Sequence, residues 1–257
     1  MFATSLALGW RLAIFFVAGV AAGITNGIAG GGTFLTFPTL LAMGVPALQA
    51  NVSATVGVVP ASLGGIRGSR HQLATLRPVV RSLLVPCLAG TSIGCALLLV
   101  ASPHTFRSVV PWLIGAATIL FALSPWLTAR LAHVEHSHPA RRWGLVLGVF
   151  LTSIYGGYFG AGIGILLLSV MAITLPYGIY ELQGLRNALT MVINVMASVI
   201  FIARGHLALD AVYMMMAGTL LGGWLGTLLM RRLPANAVRL LIVSIGVATT
   251  VRLFLSK

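Results

Sequence analysis

Polar side chains are scarce in this chain, and those that could do chemistry sit inside long apolar runs. In the first half they are Asn26, Thr33, Gln49, Asn51 and Thr55; in the second, Gln183, Arg186, Asn187, Thr190 and Asn194. Amides and hydroxyls donate hydrogen bonds without adding negative charge. Joined by one guanidinium, they suit the binding of a small anion. Asn187 and Asn194 stand seven residues apart, two turns of a helix, with Thr190 between them on the same face. Arg186, one residue before Asn187, is the natural anion-attracting cation; its alternative reading is a topology-setting flank residue. Acid–base chemistry has little to work with, because the only acids are Glu135, Glu181 and Asp210. Glu181, Asp210, His71 and His206 are the candidates for coupling a proton. The chain contains no HExxH, no paired carboxylates, no Ser-His-Asp context and no metal-ligand spacing in an apolar run. It is read as a non-enzyme without cofactor or metal.

Two glycine clusters lie close to these side chains. Gly30-Gly31-Gly32 and Gly160-Ala161-Gly162-Ile163-Gly164 resemble pieces of a nucleotide loop, but neither follows a strand in a βαβ unit. A better use of such glycines is a helix break whose bare amides, followed by a helix N-terminus, face an anion. Thr33 and Ile163 would then open two short helices. The competing use is close helix packing, which better explains Gly19-x3-Gly23-x3-Gly27, Gly90-x3-Gly94, Gly144-x3-Gly148 and Gly218-x3-Gly222-x3-Gly226.

The elements that must position these groups belong to a membrane. Of 257 residues 58% are hydrophobic and 7% charged, and no charged side chain occurs from Leu12 to Ile66 or from Trp143 to Tyr180. A soluble domain carries about 25% charged residues. Net charge is +13, yet the basic residues are scattered over the ends of apolar runs, which excludes a nucleic-acid stripe. The N-terminal run superficially resembles a signal peptide, but further apolar runs follow at once, so a retained first helix is expected. Cys87 and Cys95 share one apolar run and are expected to be small core thiols.

Apolar runs between punctuation predict helices at 10–28, 33–43, 47–66, 79–101 and 106–127, and again at 143–159, 163–175, 187–203, 210–230 and 235–254. The segments divide into 1–127, an N-terminal repeat; 128–142, a cytoplasmic linker with His133, His136 and His138; and 143–257, a C-terminal repeat. Gly27, Gly30, Gly32 and Pro46 match Gly157, Gly160, Gly162 and Pro176 at an offset of 130, and Asn51 meets Asn187 after a short insertion. The expected fold is an all-α integral membrane protein of eight to ten spanning or half helices in two tandem homologous repeats, with a glycine-broken short helix in each. The repeats are expected to be inverted, with about seven extended residues before each short helix completing its crossing. The positive-inside rule scores inverted and parallel schemes equally.

The glycine pattern carries a resemblance. Gly27-x2-Gly30-Gly31-Gly32 with Pro38 and Gly44-Val45-Pro46, echoed at Gly157-x2-Gly160-x-Gly162, resembles the TauE/SafE family of membrane permeases. The resemblance implies a secondary transporter of small sulfur-containing anions such as sulfite, sulfoacetate or other organosulfonates, working outward across the bacterial plasma membrane. Ala161 at the middle glycine and Leu168 at the place of Pro38 set the second half apart from the first. The implied partners are a small anion and membrane lipid, as a monomer or homodimer. A path for another anion such as a carboxylate, and a non-transporting scaffold subunit, are the alternative readings.

Overall fold

Backbone polar groups in hydrocarbon must be satisfied within the chain, which leaves a run as apolar as this one little choice but helix. The structure, a computed structural model, describes residues 2–29, 31–68, 73, 75–131, 140–204, 207–229 and 235–255. All regular structure among them is helical: α1 (Phe2–Ala29), α2 (Thr33–Ala42), α3 (Ala47–Gly57), α4 (Val59–Gly68), α5 (Arg77–Val100), α6 (Pro103–Leu131), α7 (Ala140–Tyr158), α8 (Ile163–Thr174), α9 (Ile179–Arg204), α10 (Leu209–Leu229) and α11 (Ala235–Leu255). Windows in α1, α5, α6, α9 and α11 are long and apolar enough to cross a membrane. All five tryptophans, at 10, 112, 126, 143 and 224, are exposed, as side chains facing lipid and its interfaces would be.

Two helix pairs cross so closely that only glycine fits. α1 packs on α10 and α5 on α7. A Cβ on Gly23 would lie 2.5 Å from the Thr219 carbonyl oxygen, and one on Gly19 2.7 Å from that of Met215. Gly218 and Gly222 approach the carbonyls of Phe16 and Val20 more closely still. In the second pair Gly90 faces Phe150, Gly94 faces Ile154 and Gly157 faces Thr91. Residue numbers rise together across both crossings, so each pair runs parallel. α6 and α11 run antiparallel, since Trp112 packs on Phe254, Gly115 on Thr250 and Thr118 on Gly246.

The structure departs from the sequence expectation in three places. The segment 47–66 is two helices, α3 and α4, joined at Val58. Pro60 has no amide to donate and its ring crowds the preceding turn; the Ala61 amide bonds Val58 at 3.1 Å, and the Gly57 carbonyl takes the Thr219 hydroxyl at 2.7 Å. Extended residues do not precede the short helices: α1 is helical to Ala29 and α7 to Tyr158, leaving only 30–32 and 159–162 between elements. α9 begins at Ile179, well before 187, because Glu181 and Arg186 interrupt the hydropathy of the run without interrupting its helix. The ends of the linker, 128–131 and 140–142, are helical, and His133, Glu135, His136 and His138 lie outside the described residues.

The crossings yield a stability prediction. Gly222→Val, which drives a branched side chain into the α1 backbone, should cost on the order of 3 kcal/mol or more. Gly9→Ala, whose Cβ meets nothing within 4 Å, should stay within about 0.5 kcal/mol of the parent. Thermal melting in detergent, followed by tryptophan fluorescence, measures both.

Candidate functional site

The second glycine break is a left-handed turn. Gly160 (φ +78°) and Gly162 (φ +75°) occupy a region that side chains with a Cβ rarely adopt. The α7 end closes on them, with the amides of Phe159 and Gly160 bonding the Tyr155 carbonyl at 2.8 and 3.2 Å. The Tyr155 hydroxyl then reaches over to the Ala161 carbonyl at 2.6 Å. α8 starts from Gly162, whose carbonyl accepts from Ile165 and Leu166. The first break is built differently: Gly32 is right-handed (φ −56°), and glycine is needed there because a Cβ would lie 2.9 Å from the Ala22 carbonyl oxygen. Thr33 and Ile163 open the short helices, as the sequence predicts.

The two breaks meet around aromatic rings. Phe34 of α2 stacks edge-on against Phe121 (5.5 Å between centroids) and lies beside Gly162, while Phe37 stacks on Phe159 (5.4 Å). Phe121 and Ile242 fill the space beside Gly31. In this conformation Gly31 and Gly162 are therefore packed against rings, and Gly32 against the backbone of α1. Gly30 lies outside the described residues.

The sequence-predicted polar residues fall into separate places. Asn51 is buried on α3, and its Nδ2 donates to the Tyr158 carbonyl at 2.9 Å, tying one half of the chain to the break in the other. Its Oδ1 is buried without a partner. Thr55, one turn on, bonds back to the Asn51 carbonyl. Asn26 and Thr33 are half-buried, and Gln49 lines a cavity at the end of α2. On α9, Gln183 is half-buried, Arg186 and Asn194 are buried, and the Thr190 hydroxyl is enclosed without a partner. Arg186 donates to Asn187 Oδ1 from Nε at 3.2 Å and from Nη2 at 2.8 Å. Thus Arg186 and Asn187 come together, whereas Asn51 and Asn187 make separate ties.

The two described acids stand in the first turns of α9 and α10. Glu181 is exposed and accepts the Gly178 amide at 2.5 Å. Asp210 is exposed and faces Arg11 at 4.0 Å, the one ion pair among the described residues. His71 and His206 lie outside those residues. A cation buried as deeply as Arg186 is costly unless an anion or its equivalent accompanies it. Among the described residues no carboxylate does so, and α9 carries Asn187, Thr190 and Asn194 close by as neutral donors.

Sequence reasoning missed Ser62 on α4 and Ser198 on α9, two packed helices. Both are 6% exposed, and both hydroxyls are buried without a partner. Their numbers differ by 136, the same offset that relates Asn51 to Asn187, and this arithmetic could have found them. Each stands six residues before the end of its helix, about 9 Å along it at 1.5 Å per residue. Most other buried hydroxyls, including Thr55, Thr91, Thr118 and Ser153, bond back to their own helix.

A family model described as "Sulfite exporter TauE/SafE" matches residues 15–253. The chain belongs to the TauE/SafE family. It is similar to a "Probable membrane transporter protein" of Haemophilus influenzae, 26% identical over 246 residues and 94% of each chain. It is also similar to "Probable membrane transporter protein ORF9" of a Sinorhizobium species, 26% identical over 94% of this chain and 92% of the relative. A third relative is "Probable membrane transporter protein YfcA" of Escherichia coli K12, 25% identical over 93% of this chain and 88% of its own. The resemblance read from the glycine pattern is borne out. This TauE/SafE chain is a multi-pass membrane transporter and not an enzyme.

Two substitutions separate tie from lining. Asn51→Leu strands the Tyr158 carbonyl and should lower stability by about 1–3 kcal/mol. Ser198→Ala removes a hydroxyl that bonds nothing, so its melting temperature should equal or exceed the parent's. Parallel detergent melts compare them.

Proposed function

We propose that this transporter carries small sulfur-containing anions such as sulfite, sulfoacetate or other organosulfonates outward across the bacterial inner membrane. The observation that carries the reading is Arg186: a buried guanidinium with no described carboxylate beside it, bonded to Asn187 and followed along α9 by Thr190 and Asn194. In a low-dielectric interior such a cation favours an anionic visitor, and neutral donors replace part of its hydration shell without repelling it. Among the described residues no buried acid competes for the guanidinium.

Alternating access is inferred from the helix directions. The parallel pairs α1 with α10 and α5 with α7, and the antiparallel pair α6 with α11, are what two five-element repeats of opposite orientation would form. α2 continues the sense of return from its break: Phe34 lies by Phe121, while Ala42 shares a cavity with Pro103 at the start of α6. In this arrangement both chain ends lie outside and the linker lies in the cytoplasm. The two aromatic-packed breaks form the contact about which one repeat rocks against the other. Asn51 and Ser198 then stand toward one face, and Arg186, Asn187 and Ser62 toward the other.

Proteoliposomes loaded with radiolabelled sulfite or sulfoacetate test the reading. Arg186→Gln with Asn187→Leu should slow efflux by tenfold or more, about 1.4 kcal/mol of lost stabilisation or greater. Efflux equal to the parent's would reject the site. A large anion current without saturation would move the assignment to a channel, and carboxylate efflux in place of sulfonate would move it to another anion.

A further inference from the structure

At the end of α2 the protein holds a cavity of about 1060 Å³ that none of the buried polar residues of α9 line. Its floor is the α2–α3 turn. Gly44 (φ +82°) donates to the Leu41 carbonyl and Val45 to that of Leu40, both at 3.0 Å, so these two carbonyls at the end of α2 are already satisfied. Pro46 then starts α3, whose first turn, through Gln49, lines the cavity. The first turn of α6 lines it as well, through Pro103 and His104. The positive dipole ends of both helices belong to this wall, and so do the first-turn amides of α3; in α6 Pro103 has no amide and the Thr105 amide is taken by the Ser102 hydroxyl at 3.0 Å.

Charge points the same way. Arg107 from α6 and Arg252 from α11 line the cavity, and among the described residues no acidic one does. Thr39 and Thr249 spend their hydroxyls on their own helices, bonding Leu35 and Ile245 at 2.7 Å each. The polar groups left to a visitor are therefore two guanidiniums, an imidazole, the Gln49 amide and helix N-terminal amides. All of them except the Gln49 carbonyl and a neutral imidazole nitrogen are donors or cations. A concave wall of one sign focuses its field and raises the local concentration of the opposite charge.

We propose that this cavity is a second anion station, a vestibule at the mouth of the transporter. There Arg107 and Arg252 hold a small oxyanion before it passes Gln49 toward the interior, or after it has come out. The proposal rests on the anion-transport reading above and adds to it a site outside the buried α9 residues. Residues 107 and 252 are exposed, so the station is hydrated and weak; its contribution is to capture, and not to the turnover step.

Counterflow of radiolabelled sulfite in phosphatidylcholine vesicles tests this. In Arg107→Gln/Arg252→Gln the half-saturating concentration should rise about tenfold with the maximal rate unchanged. The parent's dependence on ionic strength should flatten, because salt near 1 M shortens electrostatic reach to about 3 Å. The Arg107→Lys/Arg252→Lys chain should recover most of the affinity. Unchanged half-saturation and salt dependence in the double glutamine variant, with parent counterflow intact, overturns the vestibule and leaves the transporter reading standing. If the parent shows no counterflow, the transporter reading fails. Sulfite binding to detergent-solubilised protein then decides: binding weakened in the double variant supports the station, and superimposed isotherms overturn it. Vesicles containing phosphatidylglycerol separate the sources of phosphate-like charge. Loss of the difference between parent and double variant only in those vesicles would assign the arginines to lipid headgroups and overturn the proposal.

Discussion

A carbonyl stranded in hydrocarbon costs several kcal/mol, and every interruption of a helix inside this protein strands at least one. The fold depends on how those carbonyls are retrieved. The break at Val58 frees the Gly57 carbonyl, and Thr219 of α10 supplies a hydroxyl. The end of α7 exposes the Tyr158 carbonyl, and Asn51 of α3 supplies an amide. The turn at Gly160–Gly162 leaves the Ala161 carbonyl, and Tyr155 covers it from one turn below. The end of α2 closes on itself through Gly44 and Val45. Three of these four repairs use a side chain, and two of those come from the other half of the chain.

This has a bearing on where substrate chemistry resides. Asn51 looks like a binding residue in sequence, yet its amide nitrogen is committed to the Tyr158 carbonyl through one N–H, and its Oδ1 is left without a partner. Arg186 is the opposite case: its bonds to Asn187 are local, on its own helix, and its charge has no described carboxylate partner. A buried polar group that closes the backbone and one that awaits a ligand cannot be told apart by residue type. They differ in what lies opposite them.

Much of the architecture was legible because membranes simplify the code. Long uncharged runs gave the helices, and glycine clusters followed by apolar runs placed the starts of α2 and α8 at Thr33 and Ile163. The misses share a cause, which is that hydropathy reports lipid contact and not helix continuity. Pro60 sits in an unbroken apolar run, so 47–66 reads as one helix although proline divides it. Glu181 and Arg186 lower the hydropathy of a stretch that is helical from Ile179. The tie of Asn51 to a residue 107 positions away had no local signature at all. Ser62 and Ser198 did have one, in the offset of 136 that they share with Asn51 and Asn187, but serine in an apolar helix attracts little notice.

The glycine crossings described above have an evolutionary consequence. The most intimate partner of α1 is α10, and that of α5 is α7, so the closest contacts of each half are made across the middle of the chain and not within it. A half synthesised alone would expose bare glycine faces with nothing of the right shape to cover them. On the inverted-repeat proposal, a single-repeat ancestor would have needed to insert both ways into one membrane and pair with its own copy. Gene fusion would then have fixed in one polypeptide what had been an equilibrium between two.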